Sequence, residues 1–207
     1  MVGQGVLREC LLDPSVEKIL SIGRSATGQK HEKFREIVHA DIGNLGPLEA
    51  ELQGFDACFF TLGVSSVGMK EADYRRITYD LTVGAARTLA ALNPQMTFIY
   101  VSGMNTDSAG RAMWARVKGE TENALLAMPF KAAYMFRPGF IQPLHGVKSK
   151  TALYRIPYAI LGPFNKLFLK VFPKYATTTE VLGRAMIKAA RDGAPKKILE
   201  SQDINAL

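Results

Sequence analysis

At 207 residues and 47% apolar content, the chain is one domain long and can bury a full hydrophobic core. Its net charge of +7 is concentrated, because no acidic residue lies between Glu122 and Glu180 while Lys131, Arg137, Lys148, Lys150, Arg155, Lys166, Lys170 and Lys174 do. No basic, apolar leader opens the sequence and no run reaches the roughly 18 uninterrupted apolar residues of a membrane span, which points to a soluble protein.

Taken in order, Val2, Val6, Leu7, Cys10 and Leu11 recur at helical spacing, so the chain opens on an amphipathic helix. KILSIG then reads as a short strand, followed by a polar loop over 25–33 and a second strand in EIVHAD. LGPLEAELQGF predicts a short helix, and DACFFTLG a third strand apolar enough to be buried on both faces. A long helix is expected from about Glu71 to Leu92, then strand MTFIYVS, a helix from about Ala112 to Leu126, and strand KAAYMFRPG. Between 141 and 178 the alternation stops, with Pro143, Pro157, Pro163 and Pro173 breaking a variable, short-helical lobe. A helix from about Thr179 to Arg191 and a last strand near Ile198 close residues 1–207 as one domain. Such alternation implies an α/β fold, with parallel strands joined by right-handed helical crossovers.

The stretch from Met96 to Gly139 is the most informative. It holds a strand ending in Ser102, a Lys118 on the next helix, and Arg137-Pro138-Gly139 closing the following strand. In that order the three resemble the second half of a short-chain dehydrogenase/reductase. The pattern over the whole chain is most similar to the atypical members of that family, the Tat-interacting-protein-like and NAD-dependent epimerase-like groups. The resemblance implies a Rossmann-like, doubly wound parallel sheet in three α/β/α layers, a small helical C-terminal substrate lobe, and a bound nicotinamide cofactor.

A dinucleotide fold starts with a strand and a glycine-rich turn before the first helix. Here Met1-Val2-Gly3-Gln4-Gly5 is similar to the tail of that turn, with Val2 and Gly3 beside the pyrophosphate. The expectation is an N-terminally truncated reading frame lacking roughly a dozen residues, whose absent strand lies between the first and third strands seen here. A plain helix cap is the alternative for Gly3 and Gly5.

Arg24 follows the KILSIG strand, where NAD-specific folds place a carboxylate. A guanidinium there suits the 2′-phosphate of NADP in preference to NAD, against the alternative of a solvated loop residue. The resemblance places Asp41 and Ile42 beside the adenine, Leu62 and Gly63 along the adenosine, and Pro138 and Gly139 past the nicotinamide.

For chemistry, the family pairs a serine with a tyrosine and a lysine four residues apart on one helix face. Ser102 and Lys118 match, whereas the tyrosine position holds Trp114, whose indole cannot trade a proton near neutral pH. Tyr100 and Tyr134 lie inside strands and cannot supply the helical pair. Two readings follow. One is an enzyme on a small carbonyl or alcohol, an oxidoreductase or epimerase whose proton donor has moved to Ser102, Asp107, Ser108 or a water ordered by Lys118. The other is a non-catalytic NADP(H) sensor or interaction regulator. For Lys118 the plainer alternative is an exposed lysine paired with Glu122 one turn on.

The cation-rich interval points to an anionic small-molecule ligand, a lipid headgroup or an acidic partner, with a merely solvated face that happens to lack carboxylates as the plainer alternative. Its apolar part, 154–175, is expected to be a lid over a substrate pocket rather than a membrane contact or an oligomer interface. The oligomeric state is left open between monomer and homodimer. Nucleic acid is not expected, because no stacking aromatics interleave the cations on a recognisable module. His31, His39 and His145 have no partners at ligand spacing, so no metal site is assigned. Cys10 and Cys58 read as buried thiols, consistent with a reducing cytoplasm.

Overall fold

The computed structural model describes residues 1–147 and 174–207. Helix α1 spans Val2–Leu12, and strands β1 (Ile19–Gly23) and β2 (Phe34–Val38) follow it as a parallel pair. A short 3-10 turn leads into α2 (Glu49–Leu52), then β3 (Ala57–Phe60). Helices α3 (Glu71–Arg75) and α4 (Leu81–Leu92) run on through a π-helical turn, Arg76–Asp80. After them come β4 (Thr97–Val101), α5 (Met113–Leu126), β5 (Ala132–Arg137) and β6 (Phe140–Gln142). The chain closes with β7 (Ala176–Thr178), α6 (Thr179–Asp192), β8 (Ile198–Glu200) and α7 (Ser201–Ala206).

Every described strand pair is parallel, in the ladders β1-β2, β3-β4-β5-β8 and β6-β7. Alternation along the strands sends Phe98, Tyr100, Ala133 and Met135 to one face, and Ile99, Tyr134 and Phe136 to the other. The first face is closed by α2, α4 and α5 through Leu52, Leu89 and Leu125; the second by α1 and α6 through Val6, Cys10, Leu182 and Met186. Two helical layers over one parallel sheet are the doubly wound arrangement, and each fully buried Phe or Leu contributes about 1.5–3 kcal/mol toward it.

The local signals act where expected. Thr178 caps α6, its hydroxyl accepting from Val181 N at 3.0 Å. Glu9 is buried between α1 and α6 and is held by Arg8 and, at 3.1 Å, by Arg184 Nε. Gly84 lets α4 lie against the loop after β2, where an added Cβ would come within 2.4 Å of the Gly43 carbonyl oxygen. Because the obstacle is backbone, Gly84→Ala should destabilise by about 1–3 kcal/mol, read as a lower urea midpoint at unchanged slope.

Several boundaries differ from the sequence reading. The second strand lies over Phe34–Val38 rather than 36–41, which leaves Asp41 in the following loop. Strand β3 is only partly buried over most of its length, because its hydrogen-bonded neighbour is β4 alone and no ladder joins it to β1. The long helix carries a π turn where the Thr82 hydroxyl bonds the Thr78 carbonyl at 2.6 Å. Strands β6 and β7 and helix α7 are additional elements. Most of the expected lid, at 148–173, lies outside the described residues.

Candidate active site

Doubly wound folds bind ligands at the carboxyl ends of their strands; here those of β3, β4 and β5 share one edge of a ladder, that of β1 belongs to a second ladder, and the N-terminus of α1 lies against Thr61 after β3. The first turn of α1 contains Val2 and Gly3, and its leading N–H groups lack intrahelical partners. Gly3 packs over the residue that follows β3: a Cβ there would sit 2.7 Å from Thr61 Oγ1. Two residues on, Gly63 is exposed and nothing lies within 4 Å of where its Cβ would be, so a ligand has room to approach the backbone. Leu62, between them, is half-buried against the core.

Arg24 is exposed directly after β1, and no hydrogen bond or ion pair engages its guanidinium among the described residues. Asp41 is exposed, and its carboxylate accepts from Gly43 N at 3.2 Å, which orders its own loop. Ile42 is a core residue at 6% exposure rather than an open flank.

At the end of β4, Ser102 is 7% exposed and its N–H is bonded to Phe136 O at 2.7 Å. The chain then turns through Asn105, whose φ of 63° is a left-handed conformation asparagine accommodates better than most residues. That turn returns Thr106, 4% exposed, over the serine: Ser102 Oγ and Thr106 Oγ1 lie 3.1 Å apart, and Thr106 Oγ1 donates to Gly103 O at 2.7 Å. Thr106 did not stand out in the sequence; a hydroxyl four residues past Ser102 is the signal that marks it.

Lys118 and Trp114 share one face of α5, both partly buried. The ammonium lies 5.9 Å from the centroid of the Tyr100 ring and 3.8 Å from where a Cβ on Gly103 would be. It has no paired carboxylate. Glu122, one turn on, is fully buried and committed to Arg137, whose Nε and Nη2 reach its oxygens at 3.0 and 2.5 Å. Desolvation pulls the Lys118 pKa down to about 8, with the Glu122 field acting against it. The exposed, Glu122-paired lysine is therefore not what the fold builds. Tyr100 moves the other way, its phenol made a weaker acid by burial first and by Tyr74 and Glu122 after that.

Pro138 is buried, and Gly139 N donates to Ser201 Oγ at 2.9 Å, so α7 anchors this turn; Pro138 O accepts from Met104 N at 3.2 Å. Arg137 is neutralised by Glu122 and Glu200 and adds nothing to a basic surface. Asp107 and Ser108 are exposed, and the Asp107 carboxylate is taken by Ala109 N at 2.9 Å. Burial pushes the Cys10 and Cys58 thiols up to about 12, which makes both poor nucleophiles. A depression of about 830 Å³, lined by Leu11, Val16, Ile19, Phe34 and Phe55, opens at the opposite, amino end of β1 and β2, away from these groups. Among the described residues no cluster of His, Cys, Asp and Glu could hold a metal, and no helix is long and apolar enough to cross a membrane.

Parallel strands with helices on both sides form a Rossmann-like fold. It superimposes on an oxidoreductase of the short chain dehydrogenase/reductase family from Burkholderia thailandensis with TM-score 0.65 and 14% identity, covering 92% of this chain and 82% of that one. For ADP-L-glycero-D-manno-heptose-6-epimerase of Helicobacter pylori the TM-score is 0.68 at 16% identity, over 99% and 76%. For the Bordetella bronchiseptica enzyme WbmG, solved in complex with NAD, it is 0.65 at 12%, over 96% and 68%.

No family model matches the sequence. Among curated proteins it is 28% identical to Protein FMP52-2, mitochondrial, of Scheffersomyces stipitis, over 68% of this chain and 62% of that protein. It is 26% identical to Protein fmp52-2, mitochondrial, of Aspergillus terreus, over 98% and 90%. These relatives overturn the cytoplasmic expectation, since their names are mitochondrial. Two free cysteines do not distinguish one compartment from another.

Proposed function

We propose that the protein binds NADP(H) along this edge and acts as an oxidoreductase or epimerase-type enzyme on a small carbonyl or alcohol. The observation that carries the reading is the pairing of an exposed Arg24 and the open backbone at Gly63, which follow β1 and β3, with a partly buried Lys118 on α5 that reaches to Gly103 after β4 and has no ion-pair partner among the described residues. These residues fit a phosphorylated dinucleotide. Arg24 would hold the 2′-phosphate, the α1 amides at Val2 and Gly3 the pyrophosphate, and Gly63 the adenosine side. Lys118, Pro138 and Gly139 would flank the nicotinamide end. A bound nicotinamide supplies or takes up hydride; the chain's own part is to position the substrate beside Ser102, shield it from water and move the proton.

Trp114 favours a second reading, a dinucleotide sensor without turnover, because it removes the family's proton donor. Replacing Trp114 by Tyr separates the two: a reductase idle for want of a phenol gains activity, and one with another donor does not.

The test of binding is a fluorescence titration with NADPH and NADH. NADPH should quench the single tryptophan, Trp114, and Arg24→Ala should weaken NADPH roughly 10- to 100-fold, the loss of charge-assisted hydrogen bonds, while leaving NADH unchanged. Equal weakening of both nucleotides would contradict the assignment of Arg24, and no quenching by either would contradict the function.

A further inference from the structure

With an indole at position 114, the site still needs a group that can give up a proton, and the geometry narrows the candidates among the described residues. Thr106 has one hydroxyl proton, and it is spent on the Gly103 carbonyl at 2.7 Å. The 3.1 Å contact between the two hydroxyls must therefore carry the proton of Ser102, which leaves Ser102 Oγ facing the site with lone pairs only. Asp107 and Ser108 are exposed on the outer loop. The Tyr100 phenol is buried and a weaker acid than usual.

We infer that Lys118 is itself the proton donor of this site, and that Thr106 is a positioning residue that fixes Ser102 as an acceptor for the substrate or for the ammonium. The inference rests on the dinucleotide reading above and adds to it the group that moves the proton. With hydride that a bound reduced nicotinamide would supply, Lys118 Nζ gives its proton to the carbonyl oxygen, and the neutral amine regains a proton from solvent. In the reverse direction the neutral amine takes the alcohol proton.

The groups facing Lys118 support this role. Tyr100 of β4 lies under the ammonium and carries no charge, with Tyr74 of α3 nearby and also buried. Glu122 of α5 acts only through its field, because Arg137 of β5 holds it. The amine is thus partly withdrawn from water with no carboxylate paired to it among the described residues, and its lowered pKa of about 8 suits proton exchange near neutral pH.

The test has two parts on the full chain. First, trace labelling with acetic anhydride from pH 6 to 11, read by mass spectrometry, gives a titration midpoint for each lysine. Lys118 should turn over near pH 8, well below the ordinary lysine value of 10.5. Second, reduction of 4-nitrobenzaldehyde with NADPH should fall about tenfold per pH unit above about 8 and drop at least a hundredfold in Lys118→Met. A Lys118 midpoint above 10, a rate flat from pH 7 to 10, or no turnover by protein that quenches with NADPH would overturn the inference and leave the binding reading intact. Absence of quenching would remove the binding reading and the inference together.

Discussion

Lys118→Met should stabilise the protein at neutral pH by about 3 kcal/mol, a gain that disappears as the pH approaches 10.5. Burial lowers the Lys118 pKa from its ordinary 10.5 to about 8, so the native state disfavours the ammonium while the unfolded chain does not. The sign follows from proton counts. Below about pH 8 both states carry the proton and the full penalty falls on the native state. Between 8 and 10.5 the unfolded chain binds more protons, so wild-type stability rises with pH. A methionine of similar length carries no such penalty and can fill the same apolar space. Urea unfolding at pH 7 and pH 10 measures both the gain and its loss, and at this chain length the melting temperature should rise by roughly 6–12 °C at pH 7. Destabilisation at pH 7 would mean that the amine is better paired than the structure shows. A side chain that costs stability where it stands is retained for something other than folding.

The second large effect is opposite in sign. Glu122→Ala removes the carboxylate that holds Arg137 on two nitrogens and leaves the guanidinium mostly buried with Glu200 at 3.5 Å. Breaking one side of a buried pair costs about 3–5 kcal/mol, and a Glu122→Leu, Arg137→Met double variant should recover most of it because it leaves no charge behind. Calorimetric melting of the three variants gives the comparison. If the single variant melted within a few degrees of wild type, the pair would be solvated in solution. Since the Glu122 field supports the Lys118 ammonium, the same substitution should also lower the Lys118 midpoint below its value of about 8.

Much of the fold was readable because apolar runs of four to six residues alternate with helical patterns, and a parallel sheet is the arrangement that buries both kinds. Arg24, Gly63, Ser102 and Gly139 were singled out for the same reason, since in such a sheet the residues that follow the strands lie at the carboxyl edge, and Lys118 because helical spacing puts it one turn from position 114. What sequence could not supply depends on contacts between distant segments. Strands β6 and β7 have three residues each, and their pairing of Phe140 with Ala176 spans the whole variable segment. The half-exposed state of β3 comes from its having one laddered neighbour, and its composition of Ala, Cys and Phe does not reveal the number. The burial of Ile42 in the core comes from its packing with distant residues. Thr106 became visible only when the left-handed turn at Asn105 carried its hydroxyl back to Ser102. Of the interval rich in cations, Arg137 is taken internally by Glu122 and Glu200, while Lys148, Lys150, Arg155, Lys166 and Lys170 lie outside the described residues.

Hydrogen–deuterium exchange with and without NADPH tests the central claim most directly, because it reports where on the sheet a dinucleotide lies. Slowed exchange should be confined to the carboxyl edge, in residues 1–5, 61–64, 102–107 and 138–140, with the amino-end depression at 31–35 unchanged. Protection of 31–35 in place of that edge, or no protection at saturating NADPH, would contradict the account.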